Sequence, residues 1–158
     1  MAKQKYSKYF ITDWNHPPYP PEIVKINEEQ FKSGHYVKAA EMYYLADSVI
    51  KGAFYMTCVM VQELKGGTPV VHADGTPHAH DFDEVLLFAG TNPDNPHDLD
   101  GEIEFWIEDE KYIITKGCMV FIPKGIKHCP IIFRKIDRPV YFITAATVKN
   151  YKSEKEEK

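Results

Sequence analysis

The chain has 158 residues, of which 44% are hydrophobic and 13% aromatic, enough apolar material for one core of ordinary domain size and too much for a disordered segment. A net charge of −4 at pH 7 and a pI near 6.0 argue against the clustered positive charge that holds nucleic acid or anionic membrane, which leaves a small molecule as the expected ligand. No apolar run approaches the ~18 residues of a membrane span and the start MAKQKYSKYF has no export signal, so a cytoplasmic protein is expected; three cysteines without CxxC spacing suggest buried thiols rather than disulfides or a zinc ribbon.

In chain order, residues 1 to about 22 contain His16-Pro17-Pro18-Tyr19-Pro20-Pro21, which lacks several amide donors and is expected to lie across a surface as an extended arm. Residues 23–50 are ambiguous: Asn27-Glu28-Glu29-Gln30 suits the start of a short helix, whereas Tyr43-Tyr44-Leu45 and Ser48-Val49-Ile50 lean toward strand. From Ala53 on, short β-prone runs alternate with turn residues, the pattern of an all-β sandwich or barrel. The expected strands are 54–64, 70–71, 85–88, 103–107, 112–115, 119–122, 131–133 and 140–148, with turns at 108–111 and 123–125 and a surface loop over 90–101. In 102–108 the acids and Trp106 share one face, expected to be wet, and Ile103, Phe105 and Ile107 share the other. The organisation read from this is an arm and lead-in over 1–52, a barrel over 53–148 and a charged tail over 149–158.

Chemistry concentrates in His78-Ala79-His80-Asp81-Phe82-Asp83-Glu84. Two imidazoles two residues apart on a strand point to one side and reach one ion. Glu84 has the same parity, but on a straight strand it would stand roughly 20 Å from His78. The chain must therefore reverse at Asp81-Phe82-Asp83. A second stretch, Gly117 to His128, is a hydrophobic strand ended by Pro123-Lys124-Gly125, with His128 three residues beyond the glycine and free to return inward.

These two stretches resemble the paired motifs of the cupin superfamily, HxHxxxE and GxxxxxPxGxxH, over roughly residues 53–148. The chain departs from the family pattern at His72 and Ile132, and in the spacing from Glu84 to Gly90, without losing a ligand position. The resemblance implies a cupin-type double-stranded β-helix, a jelly-roll barrel with an N-terminal extension. It also implies a 3-His/1-Glu centre of His78, His80, Glu84 and His128 for one divalent transition metal: Fe, Mn, Ni, Co, Zn or Cu.

Three imidazoles and a carboxylate leave coordination positions open, as a reacting ligand requires. The expected function is a metal-dependent enzyme, a dioxygenase or an isomerase or lyase, acting on a small oxygen-rich substrate. The alternative is a metal-coupled binding or sensor module without turnover. Glu84 is the candidate proton shuttle. Lys124 and Arg134 are candidates to meet a substrate carboxylate, Tyr55, Thr57 and Phe121 are candidate cavity walls, and His16, His35, His72 and His97 are read as loop or surface residues. The Cys129 thiol is expected to point away from the metal because neighbouring strand residues face opposite ways. A homodimer is expected, with the arm and the aromatics Tyr6, Tyr9, Phe10 and Trp14 as its contact.

Overall fold

The structure is a computed structural model that describes residues 5–73 and 75–151. After a single 3₁₀ turn at Ser7–Tyr9 and a helix α1 at Pro21–Ser33, the chain is strand: β1 (Tyr36–Leu45), β2 (Tyr55–Lys65), β3 (Val70–Val71), β4 (Glu84–Gly90), β5 (Asp98–Ile107), β6 (Glu110–Lys116), β7 (Cys118–Ile122), β8 (His128–Ile136) and β9 (Val140–Ala146). They form two antiparallel sheets, ordered β1-β2-β9-β4-β7 and β3-β8-β5-β6.

From β2 onward the chain crosses from one sheet to the other at each connection except the tight β5–β6 hairpin. Eight strands wound this way make a jelly roll, and β1 extends one of its sheets. Alternation fills the space between the sheets: Leu86 and Phe88 from β4, Ile103 and Phe105 from β5, Ile131 and Phe133 from β8, and Val140 and Phe142 from β9 are buried in one cluster. A smaller cluster closes one end of the barrel, where Tyr44, Tyr55 and Phe82 meet Trp14 from the N-terminal arm and Val148 and Tyr151 from beyond β9.

The strand reading of Ser48-Val49-Ile50 is overturned. This segment is a turn in which Val49 N–H and Ile50 N–H both donate to Ala46 O, while Asp47 Oδ1 accepts from Gly52 N–H. A side chain that bonds its own backbone competes with the sheet ladder, and here it wins over two β-branched residues. The helix begins at Pro21 rather than Asn27, since a proline at the first helical position gives up only an amide with no partner there. Within the arm, His16 stacks between Trp14 and Tyr19 and meets Tyr44 edge-on, so it is half-buried rather than a surface residue.

Two further expectations fail for one reason, a buried partner that sequence spacing hides. Residues 98–101 belong to β5 rather than to a loop, drawn in by Leu99, which is fully buried. Glu104 does not face water: it is buried beneath Arg134, whose Nη1 donates to it at 2.7 Å, and Trp106, whose Nε1 donates at 2.8 Å.

Candidate metal centre

The two motif stretches are tied to each other by backbone before any side chain is considered. His78 N–H donates to His128 O at 3.0 Å, and His128 N–H returns to His78 O at 2.9 Å. Gly125 N–H donates to His80 O at 2.8 Å, and Lys124 N–H donates to Asp83 Oδ1 at 3.0 Å. The His78–His80 segment is therefore an isolated bridge rather than a full strand, and the reversal at 81–83 is pinned to the Pro123-Lys124-Gly125 turn. Glu84 opens β4 opposite Ile122 and Ala146, at the end of the barrel that the aromatic cluster closes.

His80, Glu84 and His128 are all buried, and their ligand atoms lie within 4.8 Å of one another. Glu84 Oε2 stands 3.3 Å from His80 Nε2 and 3.2 Å from His128 Nε2. His78 is half-buried and does not join that trio; a ring nitrogen of it groups with one of His128 and with the Cys129 sulfur instead. His78 Nε2 is 3.1 Å from the Tyr151 hydroxyl.

All three imidazoles share one feature. Nδ1 lies 2.8 Å from Thr76 O in His78, 2.8 Å from Phe82 O in His80 and 3.0 Å from Ile126 O in His128. A carbonyl only accepts, so each Nδ1 carries a hydrogen; Nε2 then presents a lone pair in the neutral ring and, in protonated His80, donates to Glu84 Oε2. Carbonyl support of this kind fixes tautomer and ring direction in metal sites. Among the described residues, His128 Nε2 is the one buried side-chain polar atom without a hydrogen-bond partner, and Glu84 Oε2 stands 3.2 Å from it. Lone pairs facing a carboxylate repel unless a positive charge lies among them. The trio's donors, two imidazole nitrogens and one carboxylate oxygen, are of the kind that could hold a divalent ion of borderline softness.

Electrostatics agree. Burial pushes the Glu84 carboxyl up, but the His128 and His80 imidazoles outweigh it and hold it at about 2. Burial works against a charged His80, and the Glu84 carboxylate outweighs that as well, leaving His80 above its ordinary value.

Several expected roles change. Cys129 does not point away: its sulfur lies within 4.8 Å of ligand nitrogens of His78 and His128. Strand alternation breaks at this residue, whose φ is +74°, a left-handed conformation that turns the side chain back toward its neighbours. Arg134 is exposed and paired with Glu102 at 2.7 Å and Glu104 at 2.7 Å. Thr57 and Phe121 line surface grooves, whereas Tyr55 does stand at the site end, against Tyr151. Lys124 is exposed beside the reversal, and His35 and His97 are exposed, as expected. His72 lies outside the strands, as expected, and is half-buried against Phe133 and Phe142.

Tyr151 was not legible as a site residue. It is delivered by the segment after β9, which is held by Tyr55 N–H donating to Val148 O at 2.7 Å and Asp47 N–H donating to Lys149 O at 2.9 Å. No motif spacing signals it.

No family model matches the chain. No curated protein matches it either. Among solved structures it is similar to KdgF from a Halomonas species, at 16% identity over 69% of this chain and 77% of that one, with a TM-score of 0.41. An RmlC-like cupin from Shewanella frigidimarina matches at 13% identity over 72% and 78% of the two chains, TM-score 0.40. A sugar phosphate isomerase of the cupin superfamily from Silicibacter pomeroyi matches at 13% over 83% and 67%, TM-score 0.46. With eight strands wound as a jelly roll and both motif stretches tied together at one end of the barrel, the chain has the fold of the cupin superfamily.

Proposed function

We propose that the chain is a metal-dependent enzyme of the dioxygenase or isomerase/lyase kind, acting on a small oxygen-rich molecule such as a hydroxy-acid, keto-acid or diol. The observation that carries this reading is the buried, unpartnered His128 Nε2, directed with His80 Nε2 at the Glu84 carboxylate. In this reading His80, Glu84 and His128 hold one divalent transition metal, and His78 joins them when its Nε2 leaves the Tyr151 hydroxyl. The ion supplies Lewis acidity toward a bound oxygen ligand, and electron transfer with O₂ if it is redox-active.

The chain's own residues do the rest. Carbonyl bonds to each Nδ1 fix the direction in which each imidazole presents Nε2. Phe82, stacked on His80 with centroids 4.0 Å apart, and Tyr55 form an apolar wall that excludes water. The Tyr151 hydroxyl, beside His78, is placed to donate to a substrate oxygen, and ionised Glu84 is the group able to accept a proton.

The same aromatic cover favours a second reading, a metal-coupled binding module without turnover, because it leaves the centre buried. We also propose a second copy of the chain as its macromolecular partner. A cytoplasmic setting agrees with the absence of disulfides among the three cysteines.

Metal content by plasma mass spectrometry on anaerobically purified protein tests the reading. Wild type is expected to carry about one equivalent per chain, lost in His80→Ala and His128→Ala. A wild type that stays metal-free after reconstitution overturns it. Loaded protein that binds diols or hydroxy-acids but turns over none, with or without O₂, selects the binding module.

A further inference from the structure

Two sets of metal-ligating groups share His128. His80, Glu84 and His128 make one; a ring nitrogen of His78, one of His128 and the Cys129 sulfur make the other, again within 4.8 Å of one another. The first set carries the function proposed above, and the second has no part in it. Among the described residues neither Cys58 nor Cys118 joins such a group.

The backbone accounts for the convergence of the three donors. His78 and His128 exchange both of their N–H···O bonds, the pairing that sets facing side chains on one side of a ladder, and their rings stand 4.4 Å apart by centroid. In regular strand the next residue would face the other way. Cys129 instead has a φ of +74°, a conformation uncommon for a residue with a Cβ, and its side chain is buried. Both imidazoles direct Nδ1 at a carbonyl, so Nε2 is the donor each has left. In His128 that atom is buried without a hydrogen-bond partner. A buried lone pair in this state is satisfied by a cation.

We propose that His78, His128 and Cys129 form a second, thiolate-containing position for a thiophilic ion such as Zn(II), Cd(II) or Cu(I). Ligand type sorts ions: a thiolate selects soft and borderline ions, whereas a carboxylate suits Mn(II) and its harder neighbours. His128 has one free nitrogen, so one ion at a time fills one position or the other. The identity of the ion then decides whether Glu84 or Cys129 is its anionic ligand. Binding at Cys129 exchanges the S–H bond for a sulfur–metal bond and releases the thiol proton to solvent. His78 Nε2 gives up the Tyr151 hydroxyl in the same step. Two imidazoles and a thiolate leave a fourth tetrahedral place for water or a small ligand.

The position stands on its own donors, and the atoms around the ion tell its failure from failure of the Glu84 site. The full chain carrying Cys58→Ser and Cys118→Ser keeps Cys129 as its single thiol. Loaded with zinc and read by X-ray absorption, it is expected to show one sulfur at about 2.3 Å beside nitrogen ligands at about 2.0–2.1 Å. Adding Cys129→Ser is expected to remove the sulfur while the ion stays bound through nitrogen and oxygen, and circular dichroism checks the fold. Manganese in the single-thiol chain is expected to show no sulfur. Wild type gives a reading that needs no variant: Co(II) is expected to produce a thiolate-to-metal charge-transfer band in the near ultraviolet. A zinc shell of nitrogen and oxygen alone in the single-thiol chain, a sulfur that survives Cys129→Ser, or cobalt-loaded wild type without the band overturns the proposal. The first of these leaves the Glu84 site standing, whereas a chain that binds none of these ions overturns both.

Discussion

At the scale of single residues, the centre is defined by where lone pairs point. His78 offers the sharpest test, because its Nε2 accepts from the Tyr151 hydroxyl at 3.1 Å and cannot hold an ion until that bond breaks. Tyr151→Phe removes the competitor, worth about 1 kcal/mol. If His78 is a ligand, metal affinity measured by titration calorimetry should rise about fivefold in this variant; unchanged affinity takes His78 out of the ligand set. The Glu84 contact gives a pH prediction for metal-free protein. Glu84 is depressed to about 2 from an ordinary 4.5, so its contribution to stability is complete above 4.5 and is lost as pH falls toward 2. His80 is raised above 6.5, so its contribution is complete below 6.5 and is lost as pH climbs through the raised value. The two express one shared contact. Metal-free protein should therefore be most stable between 4.5 and 6.5 in urea titrations, and Glu84→Gln should flatten both flanks. A wild-type optimum above pH 8 would contradict the assignment.

At the scale of elements, close backbone approach decides what the connections tolerate. Gly66, just after β2, has φ +77°, and a Cβ there would lie 2.3 Å from Gly34 O, the residue that ends α1 in its own left-handed turn. Both the strain and the clash involve backbone, which cannot swing aside. Gly66→Ala should cost about 2–3 kcal/mol in chemical denaturation, while Gly67→Ala, whose Cβ would meet nothing within 4 Å, pays only for its own positive φ. The strands were readable because alternation and turn residues are local: seven of the eight expected runs overlap strands to within a few residues, and the run at 131–133 is the middle of the longer β8. What failed was non-local or side-chain-to-backbone. Asp47 made a turn of Val49 and Ile50, Leu99 drew loop residues into β5, and Arg134 roofed Glu104 from a neighbouring strand. Within the site, motif spacing placed His80, Glu84 and His128 but carried no information on Tyr151, which arrives from beyond β9, or on the left-handed Cys129 that turns its sulfur back. Periodicity assumes regular backbone, and functional sites are where backbone is irregular.

At the scale of the whole molecule, two associations are expected to set stability, and they are separable because they occupy different places. The metal trio lies inside one end of the barrel, while Met119 and Phe121 of β7 are exposed on its outside, as a contact for the second copy requires. A ligand that binds only the folded state at a hundred times its Kd adds about 2.7 kcal/mol. For a chain of this length each kcal/mol moves Tm by roughly 2–4 °C. Metal removal by chelation should therefore lower Tm by about 5–10 °C at any protein concentration. Dimerisation acts through mass action, so Tm should also rise with protein concentration, whether or not metal is present. His128→Ala should abolish the first response and keep the second, because its ring is buried inside the barrel. Met119→Glu/Phe121→Glu should abolish the second and keep the first. Calorimetric scans of the three proteins, at two concentrations with and without chelator, read both effects at once. If a single substitution removed both responses, metal and interface would be one coupled unit, and the separation of inner site from outer face would fail.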